Sequence, residues 1–193
     1  QTNALGQSAR YTITLPLMRS VRQQAEICMV SHSNQRKILG LIGWLVVSFA
    51  ASAVGAAASI QAKSFYSQLA QPAWAPPPWV FAPVWTVLYV LMAIAAWLVW
   101  RSGGFRTNRI ALSLFLVQLA LNALWSWVFF AWHRGAWAFA DIVLLWLLIV
   151  ATLVFFWRVR PLAGALLIPY LLWVGFASFL NYALWQLNPQ VLG

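Results

Sequence analysis

The chain is short of charge, above all of negative charge. Only 7% of its 193 residues are charged, and just two of these are acidic, Glu26 and Asp141. An average soluble domain is roughly 25% charged, so the composition excludes an ordinary water-soluble protein. Hydrophobic residues instead make up 63% of the chain, and this proportion predicts an integral membrane protein.

Cysteine and histidine are equally scarce. Cys28 is the only cysteine, so no disulfide can form within the chain, and only two histidines are present. No pair of these residues has the spacing of metal ligands, and no Ser, His and Asp have a spacing that argues for a triad. No glycine-rich phosphate loop follows a strand pattern either. We therefore predict no metal site and no required cofactor, and the motifs assign no catalytic residue.

Five long apolar runs make up most of the chain. Each is close to or longer than the roughly 20 residues that cross a bilayer as a helix, and none alternates as membrane β-strands do. We therefore predict an all-α integral membrane protein, a five-transmembrane-helix bundle, over residues 38–188. The predicted spans are 38–60, 79–100, 110–132, 136–157 and 162–187. Residues 1–37 are expected to be a polar, largely disordered extension without a signal peptide, and 189–193 a short tail.

The net charge of +10 is concentrated on one side of the predicted topology. Only Lys63 and Arg134 lie on the other side. The positive-inside rule then places the N-terminus in the cytoplasm and the C-terminus outside, in a bacterial inner membrane rather than an outer one. Because topology and anionic lipid account for the charge, no nucleic-acid partner is predicted. The side rich in positive charge carries Arg10, Arg19, Arg22, Arg36, Lys37, Arg101, Arg106, Arg109, Arg158 and Arg160.

A proline-rich aromatic loop, residues 72–85, leads directly into the second span. Pro76, Pro77 and Pro78 fix φ and remove backbone donors, which favours a semi-rigid extended segment. Trp74, Trp79 and Trp85 are then presented on a stiff framework. Such a loop could serve as a lid over a flat apolar ligand, because a loop that is already ordered loses less entropy when the ligand binds. The alternative interpretation is an interfacial anchor of Trp and Pro.

Amides and aromatic rings share one face of the third span and one face of the fifth. Offsets of three and four residues place these side chains together on each helix, and Trp85 and Tyr89 in the second span could complete the enclosure. Two interpretations stay open, interhelical hydrogen bonding and the wall of a small-molecule cavity. The two faces consist of Gln118, Asn122, Trp125, Ser126 and Phe129, and of Tyr170, Trp173, Ala177 and Asn181.

Two further features of the spans permit more than one interpretation. Small residues recur every four positions at Ala51, Gly55 and Ser59 in the first span, which favours close helix packing over a ligand-facing surface. Asp141 is the only acidic residue within a span, and such residues are candidates for function. A relay of protons needs a chain of ionisable partners, and none is visible. We therefore expect Asp141 to be a structural hydrogen-bond hub.

Several ordered motifs resemble the translocator protein family, also called TspO/MBR, the tryptophan-rich sensory proteins or the peripheral benzodiazepine receptors. The resemblance covers about residues 38–188. It rests on Trp74-Ala-Pro-Pro, Pro83-Val-Trp85, Ala120-Leu-Asn-Ala-Leu-Trp-Ser126, Pro169-Tyr-Leu-Leu-Trp173 and Phe176-Ala-Ser-Phe-Leu-Asn181. It implies a five-helix bundle, usually a homodimer, that binds porphyrins beneath the first loop. Matching pocket positions are Tyr66, Pro77, Trp85, Asn122, Trp125, Ser126, Trp173 and Ala177.

The resemblance implies a membrane receptor or transporter for porphyrins, protoporphyrin IX or haem, with a role in tetrapyrrole regulation or stress response. Cholesterol is not an expected ligand, because no basic residue follows Tyr182 in the segment that corresponds to the family's sterol motif. The alternative is a light- and oxygen-dependent enzyme that degrades porphyrin with Trp125 and Trp173. Periodicity adds Tyr89, Gln118 and Asn181 to the predicted ligand-binding residues.

Overall fold

The computed structural model describes residues 35–193, so Cys28 and most of the predicted extension lie outside the described residues. The chain divides into two units, Gln1–Leu39 and Gly40–Gly193. The contacts and the site reported below belong to the second unit.

Five long helices carry the fold, and each is long and apolar enough to cross a membrane. They are α1, described as Gln35–Ala58, α3 (Phe81–Arg101), α5 (Arg109–Ser126), α6 (Gly135–Val159) and α8 (Ile168–Leu187). Short helices connect or follow them: α2 (Ala62–Gln68), α4 (Gly104–Thr107), α7 (Pro161–Ala165) and α9 (Pro189–Leu192). Residues 35–193 contain no strand. The predicted all-α membrane bundle with five spans is confirmed.

The fifth span differs from the continuous helix that its apolar pattern predicts. A turn at Leu166 and Leu167 separates α7 from α8. Pro169 is therefore in the first turn of α8 rather than in a helix interior. Its missing N–H removes no intrahelical hydrogen bond there. Pro169 thus lies at a helix start, and the break comes just before it, at Leu166 and Leu167.

The two ends of the bundle are chemically distinct. At one end, which we call the basic end, α3 turns into α4 and α6 turns into α7. Arg160 Nε donates a hydrogen bond to Ser102 Oγ across this end, at 2.9 Å. The opposite end, the loop end, carries α2, the proline segment and α9. This placement of the helix connections at the two ends follows the predicted topology, whereas which end faces the cytoplasm stays a prediction.

Candidate functional site

A cavity of about 550 Å³ lies at the loop end of the bundle. Residues from α1, α2, α3, α5, α6 and α8 line it, so it is enclosed by all five spans. Its volume is within the range of small-molecule sites in proteins. This cavity is the candidate functional site.

Most of the predicted ligand-binding residues line this cavity. Tyr66 reaches it from α2, Trp85 and Tyr89 from α3, and Asn122, Trp125 and Ser126 from α5. Trp173, Ala177 and Asn181 reach it from α8. Pro77 lies outside the lining, where its neighbour Pro78 takes part instead. Gln118 also lies outside the lining, although it is fully buried.

The roof of the cavity consists of α2 and the proline segment. Pro77 is extended (φ −65°, ψ 147°), and Pro78 then begins a short 3₁₀ turn that leads directly into α3. The Tyr66 hydroxyl donates to the carbonyl of Pro76 at 3.3 Å and so ties α2 to the proline segment. Burial raises the pKa of this hydroxyl above its usual value. Tyr66 therefore remains a neutral donor at physiological pH.

The three tryptophans of the proline loop have different positions. Trp85 faces the cavity, and Trp79 borders it while 73% exposed. Trp74 is 51% exposed and packs edge-on against Phe176 of α8, with ring centroids 5.8 Å apart. Trp79 and Trp85 therefore border the cavity and Trp74 does not, while the lid and the anchor interpretations of the loop stay predictions.

One buried hydrogen-bond chain joins three helices at the wall of the cavity. The Tyr89 hydroxyl of α3 donates to Asn122 Oδ1 of α5 at 2.6 Å. Asn122 Nδ2 in turn donates to the Tyr170 hydroxyl of α8 at 3.0 Å. Burial of such neutral side chains costs free energy unless their polar atoms are paired. The chain thus fixes the spacing of α3, α5 and α8 around the cavity.

A second hydrogen-bond chain joins α5, α8 and α6. Trp125 Nε1 donates to Asn181 Oδ1 at 3.0 Å, and Asn181 Nδ2 donates to the carbonyl of Gly135 at 3.3 Å. The two interpretations of the amide faces therefore hold together, because Asn122 and Asn181 make interhelical bonds and also line the cavity.

The aromatic wall is extended by a π-turn that the sequence did not reveal. After Ser126 the helix continues as Trp127–Ala131 with five-residue hydrogen bonding, Trp132 N to the carbonyl of Trp127 at 2.9 Å. Such turns are frequent at functional sites. Phe129 and Phe130 of this turn both line the cavity, and Phe129 stacks on Trp125 with ring centroids 5.2 Å apart. Phe130 follows Ser126 by four residues, so helical periodicity is compatible with both rings.

The small residues of α1 have two roles. Ser52, Gly55, Ala56 and Ser59 line the cavity, as the ligand-facing alternative predicts. Gly55 is also at a close helix contact, since a Cβ there would lie 3.1 Å from Ser126 Oγ of α5. The expected packing role is therefore present at Gly55, but it is not the whole role of this face.

Two polar side chains do not behave as their sequence positions suggest. The Oδ2 atom of Asp141 is buried without a hydrogen-bond partner in residues 35–193, which contradicts the expected hydrogen-bond hub. Both amide atoms of Gln118 are likewise buried and unpaired within that range. The face shared by Gln118 and Asn122 therefore continues past the cavity into the closed core.

The polar atoms that remain available in the cavity are few. Among the described lining residues Lys63 is the one charged side chain, and it lies on the roof helix α2. The Nε1 donor of Trp173 is buried and has no partner within residues 35–193. Arg134 precedes α6 outside the lining. The cavity thus offers aromatic faces, the hydroxyl groups of Ser52 and Ser126, and one cation near its mouth.

The fold and the cavity define an integral membrane protein with an internal cavity at one end of the helix bundle. Its sequence matches the TspO/MBR family model over residues 43–186, so the chain belongs to the TspO/MBR family. It is 42% identical over 149 residues to Protein CrtK of Rhodobacter capsulatus, covering 76% of this chain and 91% of that protein. Family membership makes it a receptor- or transporter-like membrane protein.

Other relatives cover the same membrane region. The chain is 44% identical over 126 residues to Tryptophan-rich protein TspO of Chlorobaculum tepidum, covering 65% of this chain and 80% of that protein. It is 42% identical over 126 residues to Translocator protein of Homo sapiens, covering 64% of this chain and 75% of that protein.

Proposed function

We propose that this protein binds porphyrins, protoporphyrin IX or haem, in the cavity at the loop end, and acts as a membrane receptor or transporter for them. The observation that carries the proposal is a 550 Å³ cavity walled by Trp85, Trp125, Phe129 and Trp173. A flat macrocycle offers aromatic rings the face and edge contacts that they prefer.

Lys63 supports an anionic ligand. It borders the cavity from α2, and no acidic residue occurs among the described lining residues. A porphyrin carboxylate at the mouth would therefore meet a cation, while the ring occupies the apolar interior. Because Lys63 is exposed, the attraction is screened by salt, and its contribution is expected to be on the order of 1 kcal/mol or less.

Titration of the purified protein with protoporphyrin IX in the dark tests the site. Both the absorbance of the bound porphyrin and tryptophan quenching are followed, because the variants themselves remove a fluorophore. Trp173→Ala and Trp125→Ala should each weaken binding by about tenfold or more, given the contribution of a buried aromatic contact. Trp137→Ala is the control, since Trp137 is at the same end but 72% exposed and outside the lining. Equal affinities for all three variants would contradict the proposal.

The charge at the mouth has its own test. Lys63→Gln should weaken the binding of the free diacid about threefold and leave its dimethyl ester unaffected, consistent with an exposed ion pair. Arg134→Gln is the matched control, because Arg134 lies outside the lining. A loss of ester binding in Lys63→Gln would mean that Lys63 acts through the shape of the roof and not through its charge.

A second candidate function is the degradation of bound porphyrin under light and oxygen. It is favoured by the position of Trp125 and Trp173, which both line the cavity and could supply electrons to an excited ring. Illumination of the complex in air should then give a defined pigment. Phenylalanine at both positions should abolish that pigment if the indoles take part. An unchanged product would reduce the protein to a host for the pigment's own photochemistry.

A further inference from the structure

Asn188 ties the roof of the cavity to the end of α8. It follows Leu187, the last residue of α8, and is only 9% exposed. Its Oδ1 accepts a hydrogen bond from the Ala70 N–H at 2.8 Å, and its Nδ2 donates to the Ala70 carbonyl at 2.9 Å. Both backbone polar groups of one roof residue are therefore held by one side chain. We propose that Asn188 is a positioning residue that controls the opening of the roof and hence the exchange of ligand.

Ala70 is the point where the two parts of the roof meet. It follows Leu69, the extended residue that ends α2, and precedes the segment that starts at Pro72. On one side α2 carries Lys63 and Tyr66 into the lining, and on the other side the proline segment carries Pro78 and Trp79. Prolines stiffen the second part. Motion of the roof away from the bundle would therefore strain or break the pair of bonds at Ala70.

We call the Asn188 side chain with its two hydrogen bonds to Ala70 the clamp. Asn188 is itself well anchored. The same Nδ2 donates to the carbonyl of Leu184 in α8 at 2.8 Å, and the Asn188 N–H bonds to that carbonyl at 3.1 Å. Directly after Asn188, α9 places the fully buried Leu192 in one core cluster with Tyr66 and Leu69. Asn188 is thus fixed to α8, and α9 adds apolar contact beneath the roof. An apolar or ionised acidic side chain at position 188 could not both accept from the Ala70 N–H and donate to the Ala70 carbonyl, whereas an amide can do both.

The clamp predicts how ligand reaches the cavity. If the roof must open, ligand passes at the loop end, and breaking the two Ala70 bonds is part of the barrier in both directions. Loss of the clamp then raises association and dissociation together and leaves the equilibrium affinity nearly constant. This consequence for ligand exchange rests on the proposed function, whereas the mobility of the roof does not.

The test compares Asn188→Ala with Gln186→Ala in the full chain in phospholipid nanodiscs. Gln186 is exposed and close to Asn188 in sequence, so its variant controls for substitution at the end of α8. Hydrogen–deuterium exchange of residues 69–81 reports the roof directly, and stopped-flow mixing with protoporphyrin IX reports both rate constants. We expect Asn188→Ala to raise amide exchange and both rates by about tenfold, the effect of two neutral hydrogen bonds. Gln186→Ala should change none of them.

A milder variant keeps the test decisive if Asn188→Ala folds poorly. Asn188→Gln keeps an amide but displaces it by one methylene, so the two bonds to Ala70 are weakened rather than removed, and exchange and rates should be intermediate. Unchanged exchange in the folded variants would overturn the clamp. Faster exchange with unchanged ligand rates, or a rise in dissociation alone, would overturn its role in ligand passage. If protoporphyrin IX fails to bind the unaltered protein, the proposed function fails, and the exchange data alone decide the clamp.

Discussion

The two ends of this bundle are built from similar helices, yet their interiors differ: buried side chains pack together toward the basic end, and a cavity lies at the loop end. Toward the basic end, α3 contributes Ala95, Ala96 and Val99, all without exposed surface, to one core with Phe115 and Phe156. The two phenylalanine rings stack with centroids 5.9 Å apart. Small residues beside large ones allow an interior to fill to normal density.

At the loop end the interior is made of rings and amides instead. Tyr89, Asn122 and Tyr170 form one hydrogen-bond chain, and Trp125 and Asn181 belong to a second. Directional bonds hold these side chains at set distances, so they cannot all collapse inward. The shapes of apolar side chains therefore determine the packing toward the basic end, whereas hydrogen bonds between side chains keep the cavity at the loop end open.

The largest effect should come from truncating a buried side chain in the packed core toward the basic end. Phe156→Ala should lower the free energy of unfolding by about 3–5 kcal/mol, because it leaves a void in a closed core. Phe130→Ala, in the wall of the existing cavity, should cost clearly less stability but weaken porphyrin binding. Unfolding in detergent micelles by SDS titration measures the first quantity and absorbance titration the second. Equal losses of stability would break the distinction between the two ends.

A smaller effect is expected from the hydrogen-bond framework. Asn122→Leu leaves the hydroxyls of Tyr89 and Tyr170 without their amide partner and should cost about 1–2 kcal/mol of unfolding free energy, typical of bonds between membrane helices. Porphyrin affinity should fall as well. The comparison is Thr152→Val, since the buried Thr152 hydroxyl bonds only the carbonyl of Leu148 in its own helix. The framework idea fails if Thr152→Val proves the more damaging of the two.

The smallest effect separates two glycines of α1. A Cβ at Gly43 meets nothing within 4 Å, so Gly43→Ala should stabilise the protein by up to about 1 kcal/mol through helix propensity. At Gly55 a Cβ lies 3.1 Å from Ser126 Oγ beside the cavity, so Gly55→Ala should gain less stability and weaken porphyrin binding a few-fold. Thermal unfolding and dark titration of the pair provide the measurement. Identical behaviour would show that the α1 face at Gly55 does not shape the cavity.

The sequence predicted which way the side chains of the site point, but not how far along each helix the cavity extends. Offsets of three and four place Gln118, Asn122 and Trp125 on one face of α5, and the structure has all three buried or partly buried. Only Asn122 and Trp125 reach the cavity. Periodicity reports which way a side chain points but not where along the helix an internal space ends. That limit depends on the residues of neighbouring helices.

Local backbone changes also escaped the sequence pattern. The π-turn at Trp127–Ala131 and the break before α8 both occur within apolar runs that read as continuous helix. Nothing in the residue types marks the π-turn, whereas Pro169, in the first turn of α8, is the one local signal of the break. The pairing of Asn188 with Ala70, 118 residues apart, is likewise not marked by any local pattern.

The sequence by itself determined that this is a five-span membrane bundle, because lipid requires long apolar helices whose backbone polar groups are satisfied internally. It also determined which helix faces carry amides and rings, since that follows from the period of the helix. The tertiary structure decided that these faces enclose a cavity at the loop end, and that a distant asparagine holds its roof. Both depend on contacts between residues far apart in the chain, and no local pattern encodes such contacts.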